Sequence, residues 1–231
     1  MTHGTVAVWS ISLDGRTPAP EADLVLLSAD ETQRAARFVF DADRWRWQRL
    51  HAAVRRILGA ELGVSPESIQ YAHGENGKPT LASPSGSGLE FNVSDSGDLA
   101  LIALSLDGPV GVDVEHVHRT PDIHAIAERF FAREECDALR ALPGEETVIA
   151  FYKCWTRKEA FVKALGAGLG HPLDRFAVSM DSGAARFLRR DPDAEGEIPW
   201  SLHSLALDGE YVGAVVVAHA SPAIVLEHWT G

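Results

Sequence analysis

Hydrophobic and polar positions divide the chain into short strands and long amphipathic helices. In the first half, alternation of valine, isoleucine and aromatic residues with polar ones predicts five strands. These strands are 6–13, 68–73, 89–94, 99–105 and 110–117. One long helix is predicted to begin at Ser28, which forms a capping box with Glu31, and to end at Gly59 and Gly63.

The second half has three helical segments followed by strands, and so predicts an α+β fold with antiparallel strands and helices packed on them. The helices are predicted at about 123–133, 135–142 and 145–165, and the strands at about 175–180, 200–206, 211–218 and 223–229. The motif LGAxLG begins at Leu58 and again at Leu165, close to half a chain length apart. Helix ends can look alike by chance, but we interpret the repeat as two related α/β halves that meet near 105–110, with a cleft between them.

Composition narrows the functional classes. The 231 residues are 45% hydrophobic and 23% charged, as in a globular protein, and the net charge of −12 argues against broad nucleic-acid binding. The longest apolar run, 212–220, is too short to cross a membrane, and the N-terminus lacks the pattern of an export signal. Cys136 and Cys154 form no CxxC pair, so we expect a cytoplasmic protein without disulfides.

The predicted strand GVDVEHV (111–117) contains two acidic residues at positions i and i+2. Asp113 and Glu115 therefore project to one face of the strand. A solvated outer face would explain such a pair, but a site for a cation would also place two carboxylates side by side.

A second group of charges lies in the helical segment FYKCWTRKEAFVKALGAGLG. Trp155, Glu159 and Lys163 are spaced i, i+4 and i+8, and so share one face of the helix. The plain interpretation is a core tryptophan beside a surface ion pair. If this face meets the strand of Asp113, three carboxylates converge as ligands for Mg²⁺, with a lysine beside them to neutralise a phosphate oxygen.

Two further segments have the character of an anion site. GENGKPTL places Lys78 in a turn, and FNVSDSG places Ser94 near backbone amides at the end of a strand. The first segment is not a Walker A loop. A hairpin turn without a ligand is the alternative interpretation. The histidines of EHVHRTPDIH lack a cysteine at zinc spacing, so we do not predict zinc at His116, His118 or His124.

Taken together and in this order, these segments resemble the 4′-phosphopantetheinyl transferases of the surfactin type. The matching motifs are SADETQRAARFVF (28–40), GKP (77–79), FNVSDSG (91–97), GVDVE (111–115) and FYKCWTRKEAFVKALGAGL (151–169). The resemblance spans nearly the whole chain. It implies two similar lobes with pseudo-twofold symmetry: 1–108 for contacts with the nucleotide of coenzyme A, and 109–231 for the metal-binding acids and the WxxKEAxxK helix.

The resemblance also implies the reaction. The phosphopantetheine arm of coenzyme A moves to a serine hydroxyl of an acyl or peptidyl carrier protein, and adenosine 3′,5′-bisphosphate is released. Mg²⁺, with Mn²⁺ as an alternative, is expected at Asp113, Glu115 and Glu159. Glu159 is the expected base for the carrier serine, and Lys163 is expected to stabilise the pyrophosphate as it breaks.

Contacts with coenzyme A are implied for a larger set of residues. This set is Arg34, Arg46, Lys78, Pro79, Ser94, Asp95, Lys158 and Lys163. Asp95 departs from the family, because many members have histidine there, in contact with a phosphate. We therefore expect Asp95 to cap its own turn by accepting a hydrogen bond from the amide of Gly97 or Asp98.

The expected partners are coenzyme A and carrier-protein domains, with the enzyme a monomer and neither nucleic acid nor membrane involved. Two alternatives stay open at this point. One is a Mg²⁺-dependent phosphoesterase that acts on a coenzyme-A-like substrate with the same acids. The other is a non-catalytic coenzyme-A-binding protein, in which Asp95 marks a lapsed active site.

Overall fold

The fold is seen in a computed structural model that describes residues 1–74, 76–118, 122–168, 170–181, 183–191 and 198–230. The helices in these ranges are α1 (Glu21–Leu24), α2 (Ala29–Ala35), α3 (Asp41–Leu62), α4 (Ile123–Phe130), α5 (Arg133–Arg140) and α6 (Gly144–Leu165). The strands of the first half are β1 (Thr5–Ser12), β2 (Gln70–His73), β3 (Pro79–Ser83), β4 (Glu90–Ser96), β5 (Leu99–Ser105) and β6 (Val110–His116). Those of the second half are β7 (Ala177–Val178), β8 (Phe187–Arg189), β9 (Ser201–Leu205), β10 (Tyr211–Val217) and β11 (Ala223–Trp229).

Two sheets form the centre of the molecule. The first has the strand order β11-β1-β5-β4 and the second β6-β10-β9, while β2–β3 and β7–β8 form separate hairpins. All pairs are antiparallel except β1–β11. The mixed α/β architecture with antiparallel sheets is confirmed.

Three apolar cores hold these elements in four layers. Val8 and Leu101 of the first sheet pack against Val112 and Val215 of the second. The opposite face of the first sheet packs on α3, and that of the second sheet packs on α6 with α4 and α5. Each sheet is thus covered outside by one helix of 22 residues. The pseudo-twofold relation between the halves stays a prediction.

The predicted first helix is wrong in two respects. The capping box of Ser28 and Glu31 is present, but it begins the short helix α2, and a new helix, α3, begins at Asp41. The break falls in apolar and charged residues without glycine or proline, so it has no local sequence signal. Gly63 ends α3 in a left-handed conformation, as predicted, whereas Gly59 lies inside the helix. There, the Gly59 hydrogen allows close approach of the Val64 carbonyl, which would lie 2.9 Å from an added Cβ.

The LGAxLG copies are not equivalent in the structure. In the first copy the helix continues to Leu62, whereas in the second it stops at Leu165, because Gly166 takes the left-handed conformation. The last residues of the second copy include Leu169, which lies outside the described residues.

The last strand returns to the first sheet. β11 pairs with β1 along its length, with Thr5 opposite Ala223 and Ile11 opposite Trp229. The division of the chain into lobes 1–108 and 109–231 stays a prediction, and this strand joins the end of the second lobe to the sheet of the first. Within the described ranges, no helix combines the length and the apolar character that crossing a membrane requires.

Candidate active site

The two acids of β6 lie on one face of the strand, as the alternation predicted, and in the structure this face meets α6. Val112 and Val114 enter the core between the sheets, so that Gly111, Asp113 and Glu115 point to the opposite side. Gly111 makes the approach possible, because a Cβ there would lie 2.1 Å from the Ala160 carbonyl oxygen. The helix therefore lies close enough for its polar side chains to reach the strand.

Asp113 lies at the centre of a buried polar cluster. Its Oδ1 accepts hydrogen bonds from Ser94 Oγ at 2.9 Å and from Lys163 Nζ at 2.7 Å. Lys163 Nζ also donates to Ser94 Oγ at 2.9 Å. The other oxygen, Oδ2, is buried and has no hydrogen-bond partner among the described residues. Only 5% of Asp113 is exposed, so this unpaired oxygen is energetically costly.

Ser94 is fully used within this cluster. Its hydroxyl oxygen accepts from Val114 N–H at 3.4 Å and from Lys163, and its proton is donated to Asp113. A serine hydroxyl has one proton and two acceptor sites. The resemblance implied that Ser94 contacts coenzyme A, but in this structure its hydroxyl holds Asp113 and Lys163 in place.

Glu115 and Glu159 add two carboxylates beside Asp113. Ser96 Oγ donates to Glu115 Oε2 at 2.9 Å. Burial raises the pKa of Glu159, and the charges of Asp113 and Glu115 raise it further, while Lys163 lowers it. Burial also raises the pKa of Glu115 and of Asp113. The three carboxylates thus lie close together at a site with little solvent, where their negative charges repel one another.

A cavity of about 230 Å³ opens beside this cluster. Glu159 and Lys163 line it from α6, and Lys78 and Pro79 line it from the hairpin turn of the first half. Lys78 Nζ donates to the carbonyl oxygens of Val110 at 3.0 Å and Ala164 at 3.5 Å, and burial lowers its pKa. The turn therefore contacts the C-terminal end of α6 and forms part of the cavity wall.

The residues fit a divalent cation in chemistry but do not form a closed metal site as they stand. Over the described ranges, no group of three or more histidine, cysteine, aspartate or glutamate side chains is close enough to hold a metal ion. Three carboxylates are nevertheless neighbours, and Asp113 Oδ2 is a buried oxygen without a partner. Hard oxygen donors of this kind suit Mg²⁺ or Mn²⁺.

Lys158 does not lie in this site, which corrects one prediction. Its side chain is completely buried on another side of α6, in an ion pair with Glu135 at 2.8 Å. It also donates to the carbonyl oxygens of Leu173 at 2.8 Å and Phe176 at 2.7 Å. The ammonium group thus donates to two carbonyl oxygens and has its charge paired with Glu135 inside the protein, away from the cavity beside Asp113.

The predicted arginines lie outside the cavity. Arg34 lines a separate, open depression of about 480 Å³ together with Arg37 and Phe38. Arg46 donates to Asp98 at 2.8 Å and pairs more weakly with Asp43. The structure therefore brings Lys78, Pro79, Glu159 and Lys163 around one space and leaves Arg34 and Arg46 elsewhere.

The expected turn cap of Asp95 is wrong. Within the described part of the chain, the Asp95 side chain accepts no hydrogen bond from Gly97 or Asp98, and the Asp98 amide donates instead to Tyr211 Oη at 3.2 Å. Alternation along β4 explains this, because Ser94 and Ser96 face β6 while Asp95, which is exposed, projects to the opposite face. Burial lowers the pKa of the nearby His51, and the charge of Asp95 opposes that shift.

Three residues of the cluster were missed by the sequence reasoning. Asn92 and Ser96 hold β6, and Gly111 lets α6 approach it. A signal existed for the first two, because polar residues occupy every second position of FNVSDS from Asn92 onward. That alternation predicts a polar face within a strand that is otherwise buried.

Comparisons with known proteins show which family the chain resembles along most of its length. A family model described as "4'-phosphopantetheinyl transferase superfamily" matches residues 109–216, and one described as "4'-phosphopantetheinyl transferase, N-terminal" matches residues 19–106. The chain is 37% identical over 218 residues to 4′-phosphopantetheinyl transferase HetI of Nostoc sp., covering 92% of this chain and 87% of that protein. It is 30% identical over 215 residues to a 4′-phosphopantetheinyl transferase of Bacillus subtilis, covering 92% of each.

A third relative, 4′-phosphopantetheinyl transferase psf-1 of Bacillus pumilus, is 34% identical over 190 residues, covering 82% of this chain and 78% of that protein. Among solved structures, the holo-[acyl-carrier-protein] synthase of Thermotoga maritima is 28% identical and covers 47% of this chain and 61% of its own, with a TM-score of 0.37. We draw no conclusion from that last match.

The chain belongs to the 4′-phosphopantetheinyl transferase family, and the resemblance inferred from its motifs is confirmed. It is an enzyme of the transferase class. The assignment to the surfactin type within that family stays a prediction.

Proposed function

We propose that this enzyme transfers the 4′-phosphopantetheine arm of coenzyme A to a serine hydroxyl of an acyl or peptidyl carrier protein. The serine oxygen forms a bond to the phosphorus of the arm, the bond from that phosphorus to the bridging oxygen breaks, and adenosine 3′,5′-bisphosphate leaves. The observation that carries the proposal is the cluster of Asp113, Ser94 and Lys163, with its unpaired carboxylate oxygen, beside a cavity lined by Glu159.

Asp113, Glu115 and Glu159 would hold a divalent cation, Mg²⁺ or Mn²⁺. Bound there, the cation would supply positive charge to the pyrophosphate and relieve the repulsion among the carboxylates. The orphaned Oδ2 of Asp113 supports this assignment, because it is a buried acceptor to which no described residue donates a hydrogen bond.

Lys163 and Glu159 have the properties needed to stabilise the leaving group and to accept the proton of the carrier serine. The Lys163 ammonium group, held by Asp113 and Ser94, lines the cavity and would stabilise negative charge on the leaving group. Glu159 also lines the cavity, and the raised pKa of its carboxyl makes it a better proton acceptor than a solvated glutamate. It would take the proton of the carrier serine.

The test is to incubate the purified enzyme with coenzyme A, Mg²⁺ and an apo carrier protein, and then to measure the mass of the carrier. A gain equal to one phosphopantetheine arm, absent without coenzyme A, supports the proposal. Release of phosphopantetheine or phosphate without a carrier would indicate a phosphoesterase instead. A panel of carriers from fatty-acid, polyketide and peptide synthesis would identify the partner, and gel filtration would test the expected monomer.

A further inference from the structure

Side chains, rather than another strand, close one edge of the second sheet. β6 is an edge strand in the order β6-β10-β9, and three of its outward amides meet polar side chains of β4. The contacts are Val112 N–H to Asn92 Oδ1 at 2.8 Å, Val114 N–H to Ser94 Oγ at 3.4 Å and His116 N–H to Ser96 Oγ at 3.1 Å. Unpaired amides at a buried edge are costly, so these contacts fix β6 against β4.

The two serines repeat one pattern. Each accepts the N–H of the residue that follows an acid and donates its own proton to that acid: Ser94 to Asp113 Oδ1, and Ser96 to Glu115 Oε2, both at 2.9 Å. A hydroxyl has only one proton. Because the amide already occupies the acceptor side of the oxygen, the proton is directed at the carboxylate. The same hydroxyl therefore fixes the backbone and the acid together.

Ser96 differs from Ser94 in what else it contacts. Ser94 also accepts from Lys163 Nζ, so its loss would disturb several groups at once. Among the residues assigned to the reaction, Ser96 makes a hydrogen bond to Glu115 alone. Across the described residues, Glu115 accepts no other side-chain hydrogen bond, so Ser96 is what holds this half-buried carboxylate.

We propose that Ser96 is a positioning residue for the transfer reaction. By holding Glu115 Oε2, its hydroxyl restricts the carboxylate and leaves Oε1 as the oxygen open to a divalent cation. Partners that orient a metal ligand in this way are known to matter for metal affinity as well as for activity. The inference rests on the proposed function, because it takes Glu115 to be one of the cation's ligands.

The experiment compares Ser96→Thr with Ser96→Val, which differ mainly in the hydroxyl, together with Ser96→Ala. Mn²⁺ binding is followed by electron paramagnetic resonance with the full chain and coenzyme A present, and thermal unfolding is followed without metal. We expect Ser96→Val and Ser96→Ala to weaken Mn²⁺ binding by about 10–100-fold, and Ser96→Thr to retain it. Ser68→Ala, on the exposed turn Pro66–Ser68, is the matched control and is expected to bind normally.

A double variant sharpens the test. In a Glu115→Gln background, Ser96→Ala should cause no further loss of Mn²⁺ affinity, since the two residues act through one contact. A serine that serves the fold alone would instead lower the metal-free unfolding midpoint and leave the dissociation constant of the folded protein unchanged. That result overturns the inference.

The outcomes separate this inference from the proposed function. If the wild type binds Mn²⁺ and transfers the arm while Ser96→Val does both equally well, only the role of Ser96 is wrong. If the wild type binds neither Mn²⁺ nor Mg²⁺, both proposals fall. Should the valine and alanine variants not fold, Ser96→Cys replaces them, because a thiol is a weak donor; unchanged Mn²⁺ affinity in that variant also overturns the inference.

Discussion

Two lysines on one helix show how differently an ion pair can be used. Lys158 and Lys163 lie five residues apart on α6, and each contacts a buried acid, Glu135 and Asp113 respectively. The Lys158 side chain has no exposed area, whereas 30% of the Lys163 side chain is exposed, next to a cavity. The first pair is enclosed in the core, and the second lies beside an open cavity.

The acidic partners of the two lysines, Glu135 and Asp113, differ in how many of their carboxylate oxygens are hydrogen-bonded. Both oxygens of Glu135 are used: Oε1 accepts from Val178 N–H at 2.7 Å, and Oε2 accepts from Ala132 N–H and forms the ion pair with Lys158. Asp113 uses only Oδ1 and leaves Oδ2 unpaired. A buried ion pair in which both carboxylate oxygens have partners serves the fold. A buried ion pair with one carboxylate oxygen unpaired can still bind a ligand through that oxygen.

The largest effect is expected on stability at the enclosed pair. Lys158→Ala leaves Glu135 buried without its cation, and we expect the free energy of unfolding to fall by about 3–5 kcal/mol. Urea unfolding of the purified variant measures this.

The control for that experiment replaces both partners. Lys158→Met combined with Glu135→Gln should recover part of the loss, because neither side chain is charged and the glutamine oxygen can still accept one of the two backbone N–H groups that Glu135 holds. A Lys158→Ala variant as stable as the wild type would contradict the structural role assigned to this lysine.

The next effect is on activity, at the open pair. Lys163→Gln should lower the rate of transfer by about 10²–10³-fold, because a donor aimed at developing negative charge is lost. The unfolding midpoint should change little in comparison with Lys158→Ala. Lys153→Gln, on the same helix but outside the site, is the matched control. Equal rates for the wild type and Lys163→Gln would remove Lys163 from the mechanism.

A third effect tests how α6 reaches β6. Gly111→Ala places a Cβ 2.1 Å from the Ala160 carbonyl oxygen and 2.3 Å from the Ala164 nitrogen, both of which are backbone atoms. We expect a loss of about 1–3 kcal/mol in the free energy of unfolding, as for other overpacked sites. Activity should fall as well, because the added Cβ would push α6 away from β6 and so move Glu159 and Lys163 away from Asp113. Gly209→Ala, where no atom lies within 4 Å of the added Cβ but φ is positive, serves as a control for backbone strain alone.

The smallest expected effect is a gain in the stability of the metal-free protein when Glu159 loses its charge. Burial and the neighbouring acids raise the folded-state pKa of Glu159 above its ordinary value of 4.5, so between these two values the folded protein binds more protons than the unfolded chain. The stability of the metal-free enzyme therefore falls as the pH rises through that window. Glu159→Gln should therefore stabilise the metal-free protein at neutral pH, which would be seen as a small rise in Tm.

The matching measurement is the Tm of both proteins as a function of pH. The gain should vanish below the ordinary pKa of glutamate, where Glu159 is protonated in both states, and transfer should be lost in the variant at every pH. A variant that is less stable than the wild type at neutral pH would contradict the repulsion assigned to this cluster.

Local patterns in the sequence were sufficient for most elements and for the centre of the site. Alternation placed Asp113 and Glu115 on one face, and helical spacing placed Glu159 and Lys163 together. These relations depend only on the geometry of single elements. The family motifs then linked the strand to the helix.

Relations between distant segments could not be read in this way. Nothing near Lys158 indicates that Glu135, from another helix, neutralises it in the core. The parallel pairing of β11 with β1 likewise joins the two ends of the chain. Asp95 was misjudged because the direction of its side chain depends on which face of β4 meets β6.

The most direct test concerns Asp113 itself. For Asp113→Asn, three quantities should be measured together: the mass of a carrier after incubation with coenzyme A and Mg²⁺, the affinity for Mn²⁺, and the metal-free Tm. The account predicts no gain in carrier mass and a loss of Mn²⁺ binding in a protein that unfolds at the wild-type temperature or slightly above it. A folded Asp113→Asn enzyme that loads the carrier at the wild-type rate would contradict it.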